Sequence, residues 1–194
     1  MNISDTVKSV TQGMHVMLTG GEPGYRAGED KLAWANPNLT ASGELRVISD
    51  QFESDSPIPS QYSADSGTVS PPISWNGIPG QAKSIALVVE DPDAPTPNPF
   101  VHWLAYDLDP ELRSLPTESS GRQGLLEGKN SNLKRGWTGM APPKGDTPHR
   151  YFFQVYALDK KLGLADEVGR TELFDAMAGH VIARGVLIGT YQRP

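Results

Sequence analysis

Apolar residues at Ile3, Val7, Val10, Met14, Met17 and Leu18 recur mostly at steps of three and four. That spacing predicts a helix with one apolar stripe, interrupted at Gly13 and ending near Gly20-Gly21. From Glu22 to about Ala41 the chain is polar and rich in Gly and Asn, with Leu32 and Trp34 as its large anchors, so it reads as a loop laid over the body. The pattern then changes to short apolar runs: Leu45 to Ile48, Ser84 to Glu90, Val101 to Leu108, Tyr151 to Leu158 and Gly185 to Tyr191. Each is bounded by Pro, Gly, Asp or Asn, which predicts strands. One helix is expected among them, capped by Thr171 and carrying Leu173, Ala176, Met177, His180 and Val181 on a stripe. Short strands joined by Pro-rich loops predict a mainly β chain folded as an antiparallel sandwich rather than alternating βαβ units. The Pro-rich stretches Ser54 to Ser60 and Asp91 to Pro99 are too short for linkers and read as rigid turns.

Composition narrows the picture. There are 20 Gly and 17 Pro in 194 residues, above the usual combined share of roughly 12%, which argues against a helical bundle. The absence of Cys excludes a disulfide scaffold, a thiolate zinc site and a Cys nucleophile. A net charge of −6 gives no sequence-wide attraction to nucleic acid or anionic membrane. The basic stretch Lys129 to Arg135, with Trp137 beside it, reads as a solvated loop. The longest strongly apolar run, Ile85 to Val89, is far short of the ~20 residues of a membrane span, and the N-terminus lacks a signal pattern. The expectation is a soluble, uncleaved, cytoplasmic protein with an N-terminal extension over residues 1–43 and one main domain over 44–194.

No G-x-S-x-G elbow, phosphate-loop, G-x-G-x-x-G or H-E-x-x-H motif occurs. What remains is a set of polar residues at strand ends: Asp91-Pro92-Asp93, His102, and His149-Arg150-Tyr151. Strict alternation puts Asp91 on the face of Val89 and Leu87, His102 with Leu104 and Tyr106, and His149 with Tyr151 and Phe153. Each polar group would then sit at the rim of an apolar stripe. A carboxylate beside an imidazole raises its pKa and fixes its tautomer, so Asp91 or Asp93 next to His102 or His149 would favour a cationic, anion-binding ring. The small residues from Gly136 to Gly145 would let a ligand approach the backbone. An ordinary structural role for these groups stays open from spacing alone. No metal is expected, because the His residues lack close spacing. His15 and His180 read as packing or surface residues, and Trp75 as core closure.

These residues resemble the phosphatidylethanolamine-binding protein family, also called the Raf kinase inhibitor protein family, and most closely its short bacterial and archaeal branch. The resemblance spans about residues 45 to 193. It rests on Ser70-Pro71-Pro72-Ile73-Ser74-Trp75, on Asp91-Pro92-Asp93-Ala94-Pro95 followed by His102-Trp103, on Gly139 through Tyr151 with its Pro-Pro-Lys-Gly and His-Arg-Tyr, and on Gly179-His180-Val181 through Gly189-Thr190-Tyr191. It implies a Greek-key sandwich with a small anion pocket, with Asp91, Asp93, His102, Gly139, His149 and Tyr151 at the ligand-binding positions. Ala141 stands where the family pocket usually has a second Gly, so its β-carbon would narrow the site. The resemblance implies a non-enzymatic, cofactor-free binding protein for phosphate or phosphoethanolamine, regulating a kinase or protease partner. Two alternatives remain: a hydrolase or lyase using His102 or His149 as general base, and a protein-binding inhibitor with a vestigial pocket. The apolar N-terminal extension adds the expectation of a homodimer.

Overall fold

A computed structural model describes residues 25–194, so the helix expected over Ile3 to Leu18 lies outside the described residues. The strands are β1 (Gly43–Glu44), β2 (Arg46–Ile48), β3 (Ser56–Pro57), β4 (Ile73–Asn76), β5 (Ser84–Asp91), β6 (Phe100–Leu108), β7 (Ser114–Leu115), β8 (Leu126–Glu127), β9 (His149–Leu158) and β10 (Val181–Tyr191). The large sheet runs β1-β10-β9-β5-β6-β8, with β3 added on β10, and the small sheet runs β2-β4-β7. Strand β9 returns to lie beside β5 after β6 and β8 have been laid down, giving the 9-5-6-8 order of a Greek key.

Strand β5 is buried along its whole length because both faces of the large sheet are covered. On one face, Ile85, Leu87 and Val89 pack with Val47, Ile73 and Trp75 of the small sheet. On the other, Ala86 and Val88 pack with Leu173, Phe174 and Met177 of the helix Arg170–Met177 and with Ala33 and Leu39 of the N-terminal segment. Each fully buried large side chain contributes about 1.5–3 kcal/mol. The stretch expected to be a loop is three short 3-10 turns, Glu29–Lys31, Ala33–Ala35 and Pro37–Leu39. Leu32, Ala33 and Leu39 are its buried anchors, whereas Trp34 lies beneath the Arg184 guanidinium, 4.0 Å from its ring centre. The segment is also tied to the sheet by Glu90, which is fully buried. That carboxylate accepts hydrogen bonds from Ala33 N (2.8 Å), Gln154 Nε2 (2.9 Å) and Arg170 Nε (2.6 Å), so the buried charge is paired and satisfied.

The helix differs from its expected form at both ends. Gly169 occupies the cap without a side-chain bond, and Thr171 lies inside the first turn. Ala178 has left helical backbone angles, and Gly179 takes a positive φ of 75°, a conformation that favours glycine. His180 therefore sits in the turn, its Nδ1 2.9 Å from Asp159 Oδ1, and Val181 opens β10. Among the described residues, no helix is long and apolar enough to cross a membrane.

Candidate functional site

The polar ends of β5, β6 and β9, interior strands of the large sheet, meet at one end of it, and a β-bulge decides how. Val88 pairs with Leu104 and Val89 with Trp103, yet Glu90 pairs with Val101. His102 is the extra residue, so alternation fails there. Val101 and Leu104 belong to the helix-side core, whereas Trp103 belongs to the core between the sheets. The His102 ring lies 5.6 Å from Trp137 and 5.1 Å from Tyr151, both members of that inter-sheet core. The expected grouping of His102 with Leu104 and Tyr106 is thus corrected: the bulge turns it to the side where Asp91, His149 and Tyr151 stand.

His149 is 1% exposed and lies between two carboxylates. Its Nδ1–H donates to Asp91 Oδ2 at 2.8 Å, and its Nε2–H donates to Asp146 Oδ2 at 3.3 Å. A ring that donates both hydrogens is an imidazolium. Burial works against that charge, but the hydrogen bond and charge of Asp91, with the hydrogen bond to Asp146, outweigh it and raise the His149 pKa. Asp91 is itself held by a turn in which Asp93 N donates to its Oδ1 at 2.8 Å. Asp146 is kept well below the usual carboxylate range, first by the hydrogen bond from Arg26, whose Nη2 is 2.7 Å away.

Asp93 does not orient an imidazole. Its carboxylate accepts from Arg150 N, Nε and Nη2 at 2.8–2.9 Å, and Arg150 also pairs with Glu29. His102 is oriented instead by a backbone carbonyl: its Nδ1–H donates to Thr138 O at 2.8 Å, since a carbonyl only accepts. Burial, partly offset by the charge of Asp91, lowers the His102 pKa, so this ring is neutral and leaves Nε2 as an acceptor. Of the two rings offered for a cationic role, His149 is the one paired with carboxylates, and His102 is the neutral imidazole. Tyr151 is fully buried, and its hydroxyl has no hydrogen-bond partner among the described residues. Such an orphan costs about 1–3 kcal/mol.

A cavity of about 680 Å³ opens over these groups. Of the expected site residues, Asp91, His102, Gly139, Ala141 and His149 line it, whereas Asp93 and Tyr151 do not. Its walls include Ala64, Pro95, Pro97, Pro99, Phe100, Pro142 and Pro143, so the polar floor is framed by apolar and conformationally stiff residues. Gly139 owes its identity to a close approach: a β-carbon there would lie 2.4 Å from Ala64 N and 2.6 Å from Ser63 C. Ala141 is exposed, at the rim. Among the described residues, no group of three or more His, Asp or Glu is placed to hold a metal ion. Sequence reasoning missed Asp146, whose place three residues before His149 in a Gly-Asp-Thr-Pro turn was a usable signal. It also missed Thr138, a cavity-lining residue within the Gly-rich stretch, and Arg26, which carries no pattern at all.

Comparison with known proteins places this geometry in a family. A UPF0098 protein of Methanothermobacter thermautotrophicus is 41% identical over 140 residues, covering 70% of this chain and 91% of its own length. A UPF0098 protein of Chlamydia muridarum is 38% identical, over 77% of this chain and 99% of its own. Among solved structures, a putative phosphatidylethanolamine-binding protein homolog from Chlamydia trachomatis superposes with a TM-score of 0.73 at 36% identity, covering 79% of this chain and all of its own. The E. coli protein YbcL, described as a new member of the mammalian PEBP family, gives a TM-score of 0.73 at 28% identity, over 78% of this chain and 99% of its own. Residues 48–192 match the family described as phosphatidylethanolamine-binding protein, and the chain belongs to that family.

Proposed function

We propose that the cavity binds a small anion of the phosphate class, free or at the head of a larger molecule such as phosphoethanolamine. The observation that carries this reading is the convergence of His102 and His149 on one cavity, one ring cationic and the other presenting Nε2. Tyr151, on a ring 5.1 Å from His102, does not line the cavity and serves as a packing neighbour of that imidazole. A phosphate oxygen that shares a proton with His102 Nε2 would satisfy that acceptor. The cavity volume of about 680 Å³ lies within the range of small-molecule sites and exceeds what one inorganic phosphate needs, so a substituent on the anion has room along the Pro-rich wall.

The protein acts here as a binder rather than a catalyst. Both nitrogens of His149 face carboxylates, and His102 Nδ1 faces a carbonyl. This arrangement holds charge in place and does not set an imidazole against a nucleophile. A regulatory effect on a kinase or protease partner would follow from the occupied pocket altering the surrounding surface. Calorimetry of the full chain with inorganic phosphate and with phosphoethanolamine at pH 6 tests the reading. The dissociation constant is expected near ~1 mM, about −4 kcal/mol, and His102→Ala should weaken it. No binding by the wild type, or equal binding by His102→Ala, overturns the proposal.

A further inference from the structure

Arg26 lies outside the region that matches the family, residues 48–192, yet it reaches Asp146, the carboxylate that faces His149 Nε2. Its segment is fixed by backbone hydrogen bonds from Ala27 N to Ala94 O (3.1 Å) and from Gly28 N to Pro92 O (2.9 Å), alongside the Asp-Pro-Asp loop. From that position Arg26 Nη2 donates to Asp146 Oδ1 at 2.7 Å and to Thr147 Oγ1 at 3.2 Å. The other oxygen of the same carboxylate, Oδ2, faces His149 Nε2 at 3.3 Å. Asp146 therefore stands between a guanidinium and the imidazolium, with one oxygen for each.

This geometry bears on the anion site proposed above and rests on that reading. The Nε2–H of His149 is the donor an incoming anion would use, and a carboxylate already occupies it. We infer that Asp146 is a built-in competitor for the anion seat on His149, and that Arg26 is a positioning residue that draws Asp146 aside when an anion arrives. When Oδ2 leaves Nε2, Oδ1 keeps its bond to Arg26, so the displaced carboxylate stays paired. The segment outside the family match thereby sets the affinity of the pocket. The charged groups around His149 form one connected set: Asp91 on Nδ1, Asp146 on Nε2, and Arg26 on Asp146. Arg150 is held by Asp93 and Glu29 and takes no part in this exchange.

The test is a double-mutant cycle read two ways. In calorimetry with inorganic phosphate, Asp146→Asn should tighten binding about 5- to 10-fold by freeing the His149 donor and removing a like charge. Arg26→Ala should weaken it about 2- to 5-fold, since Asp146 then keeps Thr147 N on Oδ1 but has His149 as its one remaining cationic partner. In the Asp146→Asn background, Arg26→Ala should have no further effect. An equal loss in both backgrounds means that Arg26 acts on the anion directly, and overturns the inference. The second readout needs no ligand. NMR titration of the His149 ring should show its pKa falling in Asp146→Asn and rising in Arg26→Ala, and unchanged values in both variants would also overturn the inference. If phosphate fails to bind any variant while the ring pKa values shift as stated, the anion reading fails and the Arg26-Asp146-His149 coupling stands.

Discussion

Asp91→Asn probes the pairing on which the site depends. The side chains of His149 and Asp91 are 1% and 5% exposed, and their atoms are 2.8 Å apart, so the pair belongs with buried ion pairs and not with weak surface ones. Removing one partner of such a pair costs about 3–5 kcal/mol when the other charge is stranded. His149 can shed its proton, so the expected cost at pH 6 is about 2–3 kcal/mol, or about 4–12 °C in Tm for a chain of this size. The Asn Oδ1 still accepts from Asp93 N, so the turn is preserved. The pH dependence gives the sign. His149 has a raised folded pKa, so its stabilisation is complete below the unfolded value of ~6.5 and is lost as pH rises through the raised one. His102, with a lowered pKa, works in the opposite sense: it costs stability as pH falls below ~6.5. Loss of the Asp91 charge lowers the His102 pKa further, which adds to the penalty on the acid side and not at pH 9, the same direction as the His149 effect. Urea denaturation of wild type and variant at pH 6 and pH 9 should show the penalty shrinking to about 1 kcal/mol at the higher pH. An equal penalty at both values would refute the reasoning.

Three further outcomes are expected. Tyr151→Phe should leave stability unchanged or raise it by up to ~1 kcal/mol in urea denaturation, because it removes an unsatisfied buried hydroxyl, and should leave phosphate binding in calorimetry unchanged, because Tyr151 does not line the cavity. Gly139→Ala should cost about 1–3 kcal/mol in urea denaturation, since its β-carbon meets the backbone of Ser63 and Ala64 rather than a movable side chain. Arg170→Ala should cost about 3 kcal/mol in the same assay by stranding Glu90 without its cation.

The strands of the large sheet were legible because their signal is local. The apolar run at Ile85 to Val89 and the stretches at Val101 and Tyr151 are bounded by residues that end strands, and β5, β6 and β9 fall there. The motif residues at that end of the sheet and in the loops beside it could likewise be named in advance, and five of the seven line one cavity. Their orientation was not legible. The face taken by His102 depends on a one-residue register shift against β5, which no pattern within β6 records. The partner of Asp93 depends on Arg150 in β9, and the end of the helix on a backbone turn at Gly179 that outweighs an apolar spacing running past it. Leu39 was passed over in a polar stretch because its burial comes from the sheet beneath it. Arg26 reaches Asp146 across 120 positions, a contact fixed only once the sheet has formed.

The most direct test of the anion site is an NMR titration of the His102 and His149 ring signals with phosphate and with phosphoethanolamine at pH 6 and pH 8. At pH 6, addition of either ligand should shift both rings and carry His102 from neutral toward protonated, because an anion at Nε2 offsets the cost of charging a buried ring. Binding should weaken at pH 8, where both His102 and the phosphate group hold their protons less well. Unmoved His102 and His149 signals at saturating ligand would contradict the account.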